Sequence, residues 1–457
     1  MKKIILIDLD LQLIEQFLSF NKYIKIDMLI TNDIKRAKEK YKEFVKFFYP
    51  QGQIREKINN IHKINYDLKY EEILKFRSTQ YKLEKYYHRY YLDTGVIQNL
   101  YYKALSFWLD YFNNNHIDMI FSDQIEHGGD WDSIPFDIAL KHNIPVYLLS
   151  ISSDFNNQQI YQLLHLNSHS FKNIKNINKT KVNLYNFFNN STSNKKIGIK
   201  NPLKYFYKTK IKTLPRIIQR KLGGIYLEYN LIKNKEMFFL SKYEIYKQSI
   251  YINNLRKIYK KISQKADFED NYIYFPLHLE PEASIMNRTT LSSQLFIIEL
   301  LSNLLPKNWK IYVKEHPQQF FCYENELPYL NNIHYFRSLK FYEFLEQMSN
   351  VKIIDIDTNS TELIKYSKAT CAIAATSLIE AVLLKKPIIN FGENTNFIEL
   401  LNECFNIRSK EDLAKAIDKI QKNFIPKYDD LDYILENYTF LQTNNTKEIQ
   451  DIIQILL

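Results

Sequence analysis

Three short apolar runs in the second half of the chain are each followed at once by side chains suited to phosphate or sugar oxygens. These side chains are His278, Glu280, Glu282, Lys314, His316, Thr376, Ser377 and Glu380. Imidazole and ammonium groups donate hydrogen bonds to phosphate oxygens. Prolines in the first two stretches, among them Pro317, restrict the direction of the loops. These residue types favour binding of a phosphate-bearing ligand.

The third stretch places Thr376 and Ser377 at the start of a predicted helix over 378–384. The first N–H groups of a helix lack partners and lie at its positive end, so such a turn can bind an anion. Glu380, one turn further on, can reach a ribose hydroxyl. A Thr-Ser pair alone would be read as a cap. Together with the two histidine loops, it predicts a pocket for a nucleoside monophosphate or diphosphate.

In the first third of the chain, a predicted strand over 117–122 runs into a loop with three candidate general bases, Asp123, Glu126 and His127. Each can take a proton from an acceptor hydroxyl, and the residues do not decide among them. The alternative interpretation is a polar loop in which Asp132 or Ser133 caps the following helix.

Strands alternate with helices in two regions, which predicts two doubly wound parallel sheets facing a cleft. The pattern predicts a long helical stretch over 33–115, an irregular or partly helical linker over 152–200 and a final helix over 431–455. The predicted divisions are 1–165 (acceptor domain), 166–268 (linker and helical segment), 269–430 (nucleotide-sugar domain) and 431–457 (C-terminal helix).

Composition excludes several classes of protein. The 457-residue chain has only three cysteines and no metal spacing among them, so neither a disulfide framework nor a zinc site is expected. Asp-x-Asp pairs occur, but they are too common to indicate a metal, and no cofactor is expected. No apolar run reaches the roughly 18 residues of a spanning helix, and the apolar run at the N-terminus is too short for a signal peptide. We therefore expect a cytoplasmic protein.

The formal net charge is +11. Drift in an AT-rich genome explains an excess of lysine over acidic residues, and no nucleic-acid-binding motif accompanies the charge. The basic segment 204–222 is the feature that fits an anionic membrane surface on the inner face of the cell membrane. The alternative is a solvated helix face that packs on the next domain.

Three blocks, 274–284, 312–317 and 377–381 with the Lys-Pro-Ile-Ile run at 386–389, resemble the capsule polysaccharide biosynthesis/export family. That family includes the bacterial β-Kdo transferases. The resemblance extends weakly to 117–150. It implies a GT-B arrangement of two Rossmann-like domains joined by a helical linker region. One difference is Glu280, where the family often has Gln.

The resemblance also implies a metal-independent glycosyltransferase with a nucleotide-sugar donor, most readily CMP-Kdo or another CMP-linked acid sugar, and a glycan or glycolipid acceptor. The roles of the family's His-Pro pair and serine-bearing turn, which contact the nucleotide phosphate, carry over onto His316, Pro317 and Ser377. Two alternatives stay open. One is a sugar-nucleotide epimerase or a polyol-phosphate transferase on the same fold, and the other is a non-catalytic scaffold for capsule assembly.

Overall fold

The computed structural model describes most of the chain outside its middle segment. The described residues are 1–31, 34–49, 58, 66–89, 93–123, 129, 132–155, 158–175, 182–184, 242–281, 285, 289, 291–320, 333–441 and 446–457. The basic segment 204–222 lies outside them. So do Glu126, His127 and Glu282.

The first sheet contains eight strands in the order β14-β6-β5-β4-β1-β2-β3, with β7 paired to β6. β1 to β5 are parallel, while β6 runs antiparallel to β5. The strands are β1 Lys2–Ile7, β2 Ile24–Ile30, β3 Val45–Tyr49, β4 Met119–Ser122, β5 Val146–Phe155, β6 Gln158–His165, β7 Ser170–Phe171 and β14 Phe440–Leu441. The order β3-β2-β1-β4-β5 is that of a doubly wound fold.

The second sheet has six strands in the order β10-β9-β8-β11-β12-β13, and every pair in it is parallel. They are β8 Asn271–Pro276, β9 Trp309–Lys314, β10 Val351–Ile353, β11 Ala369–Ala372, β12 Ile388–Asn390 and β13 Phe405–Asn406. This is again the doubly wound order, with crossover helices on both faces. The nearly unbroken apolar runs of the sequence fit strands that are buried on both faces.

The helices cover both sheets. They are α1 Leu11–Leu18, α2 Ile34–Tyr41, α3 Tyr70–Lys75, α4 Arg77–Tyr87, α5 Thr94–Asn114, α6 Ser133–Lys141, α7 Lys242–Ile262, α8 Gln294–Leu304, α9 Ile333–Phe336, α10 Leu339–Gln347, α11 Ser360–Tyr366, α12 Thr376–Leu383, α13 Lys410–Gln421, α14 Leu431–Tyr438 and α15 Thr446–Leu456. Several of these helices begin at a short polar side chain that acts as the N-cap. Asp93 caps α5 by accepting from Val96 N, and Ser293 caps α8.

The last part of the chain returns to the first sheet. β14 pairs antiparallel with β6, and the side chain of Lys2 in β1 donates to the carbonyl of Leu457 over 2.9 Å. Loops of the second sheet also contact the part of the chain built around the first sheet. These two parts are called the first unit and the second unit below. Gln162 Nε2 donates to the carbonyl of Thr395 over 3.4 Å, and Lys85 Nζ donates to Ser292 Oγ over 3.1 Å. Thr395 and Ser292 both lie in loops that leave the carboxyl ends of strands, so this edge of the second sheet faces the first unit.

Three predictions about elements are wrong. The stretch predicted as helical over 33–115 contains β3, and the stretch predicted as an irregular linker contains the end of β5 and then β6 and β7. The predicted final helix is two helices with β14 between them. In each case pairing with a neighbouring strand stabilises the strand and outweighs the polar local composition: β3 pairs with β2, β6 with β5 and β7, and β14 with β6. The doubly wound character of both regions is confirmed, and the domain boundaries stay a prediction.

Candidate functional site

Strand register brings the predicted loops of the second sheet to one edge. Pro276 at the end of β8 lies opposite Lys314 at the end of β9, and Leu277 N donates to the carbonyl of Lys314 over 2.8 Å. The loops that carry His278 and His316 therefore leave the sheet at the same level. β11 pairs with β8 on its other side, so the loop from β11 into α12 starts beside them. This is the edge at which open α/β sheets bind ligands.

His278 joins two of these loops. Its Nε2 accepts a hydrogen bond from the backbone N–H of Ala374 over 3.2 Å, just before α12. Gln294 Oε1 accepts from the backbone N–H of His278 over 2.7 Å. Burial, together with the nearby His316 and Arg337, lowers the pKa of His278 to about 3. The ring is therefore neutral at physiological pH, and the accepting Nε2 places its proton on Nδ1.

His316 is also held as a neutral ring. Its Nδ1 accepts from the backbone N–H of Gln318 over 3.2 Å, which leaves the proton on Nε2. Burial and the charge of Lys314 lower the pKa of His316 to about 4. The ring is half-buried at the edge of the sheet. His316 can thus donate one neutral hydrogen bond from Nε2 to a ligand.

Beneath the two histidine loops lies a buried guanidinium that sequence reasoning missed. Arg337 is fully buried, and its Nη1 lies 2.9 Å from Glu280 Oε2 while its Nε lies 2.7 Å from Glu315 Oε1. Glu280 Oε2 also accepts from Gln294 Nε2 over 2.9 Å, and Tyr342 donates to Glu315 over 2.7 Å. The carboxylate of Glu280 is thus engaged within the protein. No local pattern could have shown this, because Arg337 comes 57 positions after Glu280 in the chain.

Lys314 likewise points into the protein. Its Nζ donates to the carbonyl of Thr358 over 2.5 Å and to Ser360 Oγ over 2.8 Å, at the start of α11. Burial lowers the pKa of Lys314 to about 8, although the charges of Asp357, Asp355 and Glu380 act in the opposite direction. The ammonium thereby stabilises the loop before α11 rather than standing open at the edge of the sheet.

The helix start predicted at Thr376 and Ser377 is confirmed as α12. Its N-cap is Ala375, which has no side-chain oxygen to satisfy the first N–H groups. Thr376 is exposed, and Ser377 Oγ is buried without a hydrogen-bond partner among the described residues. Burial raises the pKa of Glu380, against the charge of Lys314 and a hydrogen bond from Thr361. The start of α12 therefore keeps backbone and hydroxyl donors available.

The loop before α11, by contrast, is satisfied internally. Asn359 Oδ1 accepts from Thr361 N over 2.8 Å as the N-cap of α11, and Asp355 Oδ1 accepts from Asp357 N over 3.0 Å. Asn359 is therefore occupied as the N-cap of α11. Pro317 follows His316 directly and is partly exposed.

In the first unit, register sets the position of Asp123. Ser122 at the end of β4 lies opposite Ile7 at the end of β1, and Asp123 N donates to the carbonyl of Ile7 over 3.4 Å. Asp123 is partly buried at the carboxyl edge of this sheet. Asp132 is the N-cap of α6, and its Oδ1 accepts from Ser133 N over 2.6 Å. The capping role considered for Asp132 is therefore confirmed. The other two candidate bases lie outside the described residues.

Within the described ranges, no group of three or more His, Cys, Asp or Glu side chains is placed to hold a metal ion. Across those same ranges, no helix combines the length and the hydropathy needed to cross a bilayer. Metal independence and membrane attachment both stay predictions.

Two doubly wound sheets, with polar loops gathered at the carboxyl edge of the second, define a GT-B-like α/β protein. Residues 200–399 match the family model described as "Capsule polysaccharide biosynthesis protein", which supports the resemblance seen in the sequence. The match contains all three blocks on which the sequence resemblance was based. Comparison with curated proteins gives no match.

Solved structures similar to this chain come from several kinds of protein. The UDP-GlcNAc 2-epimerase of Methanocaldococcus jannaschii is 12% identical over 100% of this chain and 99% of its own, with a TM-score of 0.25. The β-Kdo 2,7 transferase of Thermosulfurimonas dismutans KpsC is 17% identical over 42% of this chain and 57% of its own, with a TM-score of 0.22. Scores this low do not bear on activity.

Proposed function

We propose that this protein is a glycosyltransferase of bacterial capsule or surface polysaccharide biosynthesis. It transfers a sugar from a nucleotide donor to a glycan or glycolipid acceptor, without a metal ion and with inversion at the anomeric carbon. The match of residues 200–399 to the capsule polysaccharide biosynthesis model supports the pathway. In this proposal, residues 269–430 bind the donor and residues 1–165 bind the acceptor.

The choice of nucleotide sugar rests on the kind of hydrogen-bonding groups that lie at the carboxyl edge of the second sheet. His316 offers a neutral N–H and α12 offers uncapped N–H groups, while Lys314 and Arg337 are both bonded inside the protein. Neutral donors suit the single negative charge of a phosphodiester better than the two charges of a diphosphate. This supports a CMP-linked sugar, with CMP-Kdo or another CMP-linked acid sugar as the expected donor.

The proposed reaction is a direct displacement. The acceptor oxygen forms a bond to the anomeric carbon while the bond from that carbon to the phosphate oxygen breaks, and CMP leaves with one further negative charge. His316 Nε2–H and the start of α12 stabilise that charge as it develops. One of the candidate bases Asp123, Glu126 and His127 takes the acceptor proton. Attack from the face opposite the phosphate inverts the anomeric centre.

The proposed acceptor also indicates where in the cell the protein works. Glycolipid acceptors lie at a membrane surface, and we propose that the protein works in the cytoplasm at the inner face of the cell membrane. The net charge of +11 and the basic segment 204–222 support electrostatic attachment. Co-sedimentation with vesicles should then require anionic lipid. Binding that is equal to neutral and anionic vesicles would contradict this part of the proposal.

The test of the donor site is a calorimetric and thermal-shift titration with CMP, CDP, UDP and GDP. A ligand that binds only the folded state raises its stability by about 2.7 kcal/mol at a hundredfold excess over Kd. We expect selective stabilisation by CMP that His316→Ala abolishes. His142→Ala serves as the control, since His142 is exposed in the first unit.

Other results would change the assignment. Selectivity for UDP or GDP would still support an enzyme that uses a nucleotide sugar, but it would contradict the proposal of a CMP-linked sugar. Product formed from the nucleotide sugar without any acceptor would indicate an epimerase. Transfer of a polyol phosphate would indicate a polyol-phosphate transferase. A folded protein with no response to any nucleotide would favour a scaffold.

A further inference from the structure

Arg337 lies between α9 and α10, and its side chain reaches from there to the two loops that carry the histidines. Its side chain is fully buried, and the guanidinium carbon lies 4.2 Å from the centre of the Phe341 ring. Its backbone carbonyl accepts from Tyr251 on α7 over 3.2 Å. Both the backbone and the stacked guanidinium plane are therefore fixed in one position.

The guanidinium joins the two loops that carry the histidines. Toward the β8 loop, Nη2 donates to the carbonyl of His278 over 3.1 Å and Nη1 pairs with Glu280. Toward the β9 loop, Nε pairs with Glu315, whose Oε2 in turn accepts from the backbone N–H of His316 over 3.0 Å. One side chain thus contacts the backbone of one histidine directly and that of the other through a single carboxylate.

Other contacts fix the same two loops. The side-chain amide of Gln319 accepts from the backbone N–H of Glu280 over 2.9 Å and donates to its carbonyl over 2.7 Å. Tyr259 accepts from the backbone N–H of Glu315 over 3.0 Å. A planar group with five donors in a fixed fork can serve two carboxylates and a carbonyl at once, which an ammonium cannot.

We propose that Arg337 is a positioning residue that sets the spacing and ring orientation of His278 and His316. Its role in ligand binding rests on the proposed nucleotide site. Its role in orienting the two imidazole rings does not depend on that site, so ligand binding and ring orientation can be tested separately.

The experiment uses Arg337→Lys in the full chain. Ring nitrogen chemical shifts of His278 and His316, assigned by ¹⁵N labelling, report tautomer and orientation without any ligand. Calorimetry with CMP reports the site. We expect the His278 signals to move from their wild-type positions and the Kd for CMP to rise at least tenfold. The control is Lys352→Met, which removes the 2.5 Å ion pair with Asp270 at the opposite end of the strands. It should change neither readout.

If Arg337→Lys fails to fold, Glu280→Leu replaces it. The cluster has two carboxylates for one guanidinium, so this change leaves a balanced buried pair while cutting the link to the β8 loop. Ring signals at wild-type positions in a folded variant would overturn the proposal, as would a CMP affinity within twofold of wild type. A wild-type protein that binds no nucleotide would refute the proposed function, and the ring signals would then decide the positioning role alone.

Discussion

The imidazole of His278 and the backbone amide of Ala374 are joined by a 3.2 Å hydrogen bond, in which Nε2 of the ring accepts. The bond links the loop after β8 to the residue just before the N-cap of α12. Because the backbone N–H can only donate, the accepting nitrogen is unprotonated. The tautomer of His278 and the position of the α12 start are thus set by one contact.

Removing that contact should weaken the site more than the fold. In His278→Ala, Ala374 N loses its acceptor and the start of α12 is no longer held against the β8 loop. We expect the Kd for CMP, measured by calorimetry, to rise at least fivefold while the protein stays folded. A folded variant with wild-type affinity would show that the contact does not matter for binding.

The two histidines should make stability depend on pH in a defined range. Their pKa values in the folded protein are about 3 and about 4, below the ordinary value of 6.5, because the burial of His278 and the partial burial of His316 disfavour the charged ring. Between about pH 6.5 and 4 the unfolded chain therefore binds protons that the folded chain does not. The free energy of unfolding contributed by these groups falls as pH is lowered through that range.

This dependence is measured by urea unfolding between pH 7.5 and 4.5. Carboxylates also titrate in this range, so the informative quantity is the difference between wild type and His278→Gln/His316→Gln. The double variant should lose less stability on acidification. Parallel curves for the two proteins would rule out the histidines as the cause.

Glu280 should tolerate an amide but not truncation. Glutamine keeps an oxygen to accept from Arg337 and removes the excess negative charge of the buried cluster, so Glu280→Gln should be at least as stable as wild type. Glu280→Ala leaves Arg337 and Gln294 without that acceptor and should lose about 1–3 kcal/mol. Urea midpoints at pH 7.5 decide between these outcomes. A Gln variant less stable than the Ala variant would contradict the charge argument.

Lys314 should contribute to stability through the loop before α11. Lys314→Met keeps the length of the side chain but removes the ammonium donor from the carbonyl of Thr358 and from Ser360 Oγ, which keeps only the longer bond from Tyr274. We expect a loss of about 1–3 kcal/mol in urea unfolding. In the control, Lys340→Met, an exposed pair with Glu343 is removed, and the loss should stay below about 1 kcal/mol. Equal losses would mean that Lys314 has no special structural role.

Local sequence signals predicted the elements that carry the site. The apolar runs at 272–275 and 309–313 correspond to β8 and β9, and the predicted helix over 378–384 corresponds to α12 within two residues at each end. These signals are local, because burial on both faces gives a continuous apolar run and a turn gives polar and proline residues. The position of His278, His316 and Ser377 just after strand ends followed from the same pattern.

The sequence by itself thus determined two doubly wound regions and which residues follow their strands. Tertiary structure alone decided that Glu280 faces Arg337, that Lys314 turns inward to Ser360, and that β14 returns to β6. Each of these pairs residues at least 46 positions apart. Such contacts depend on how helices and strands pack, and a carboxylate in a loop has the same local pattern whether it faces a ligand or a buried guanidinium.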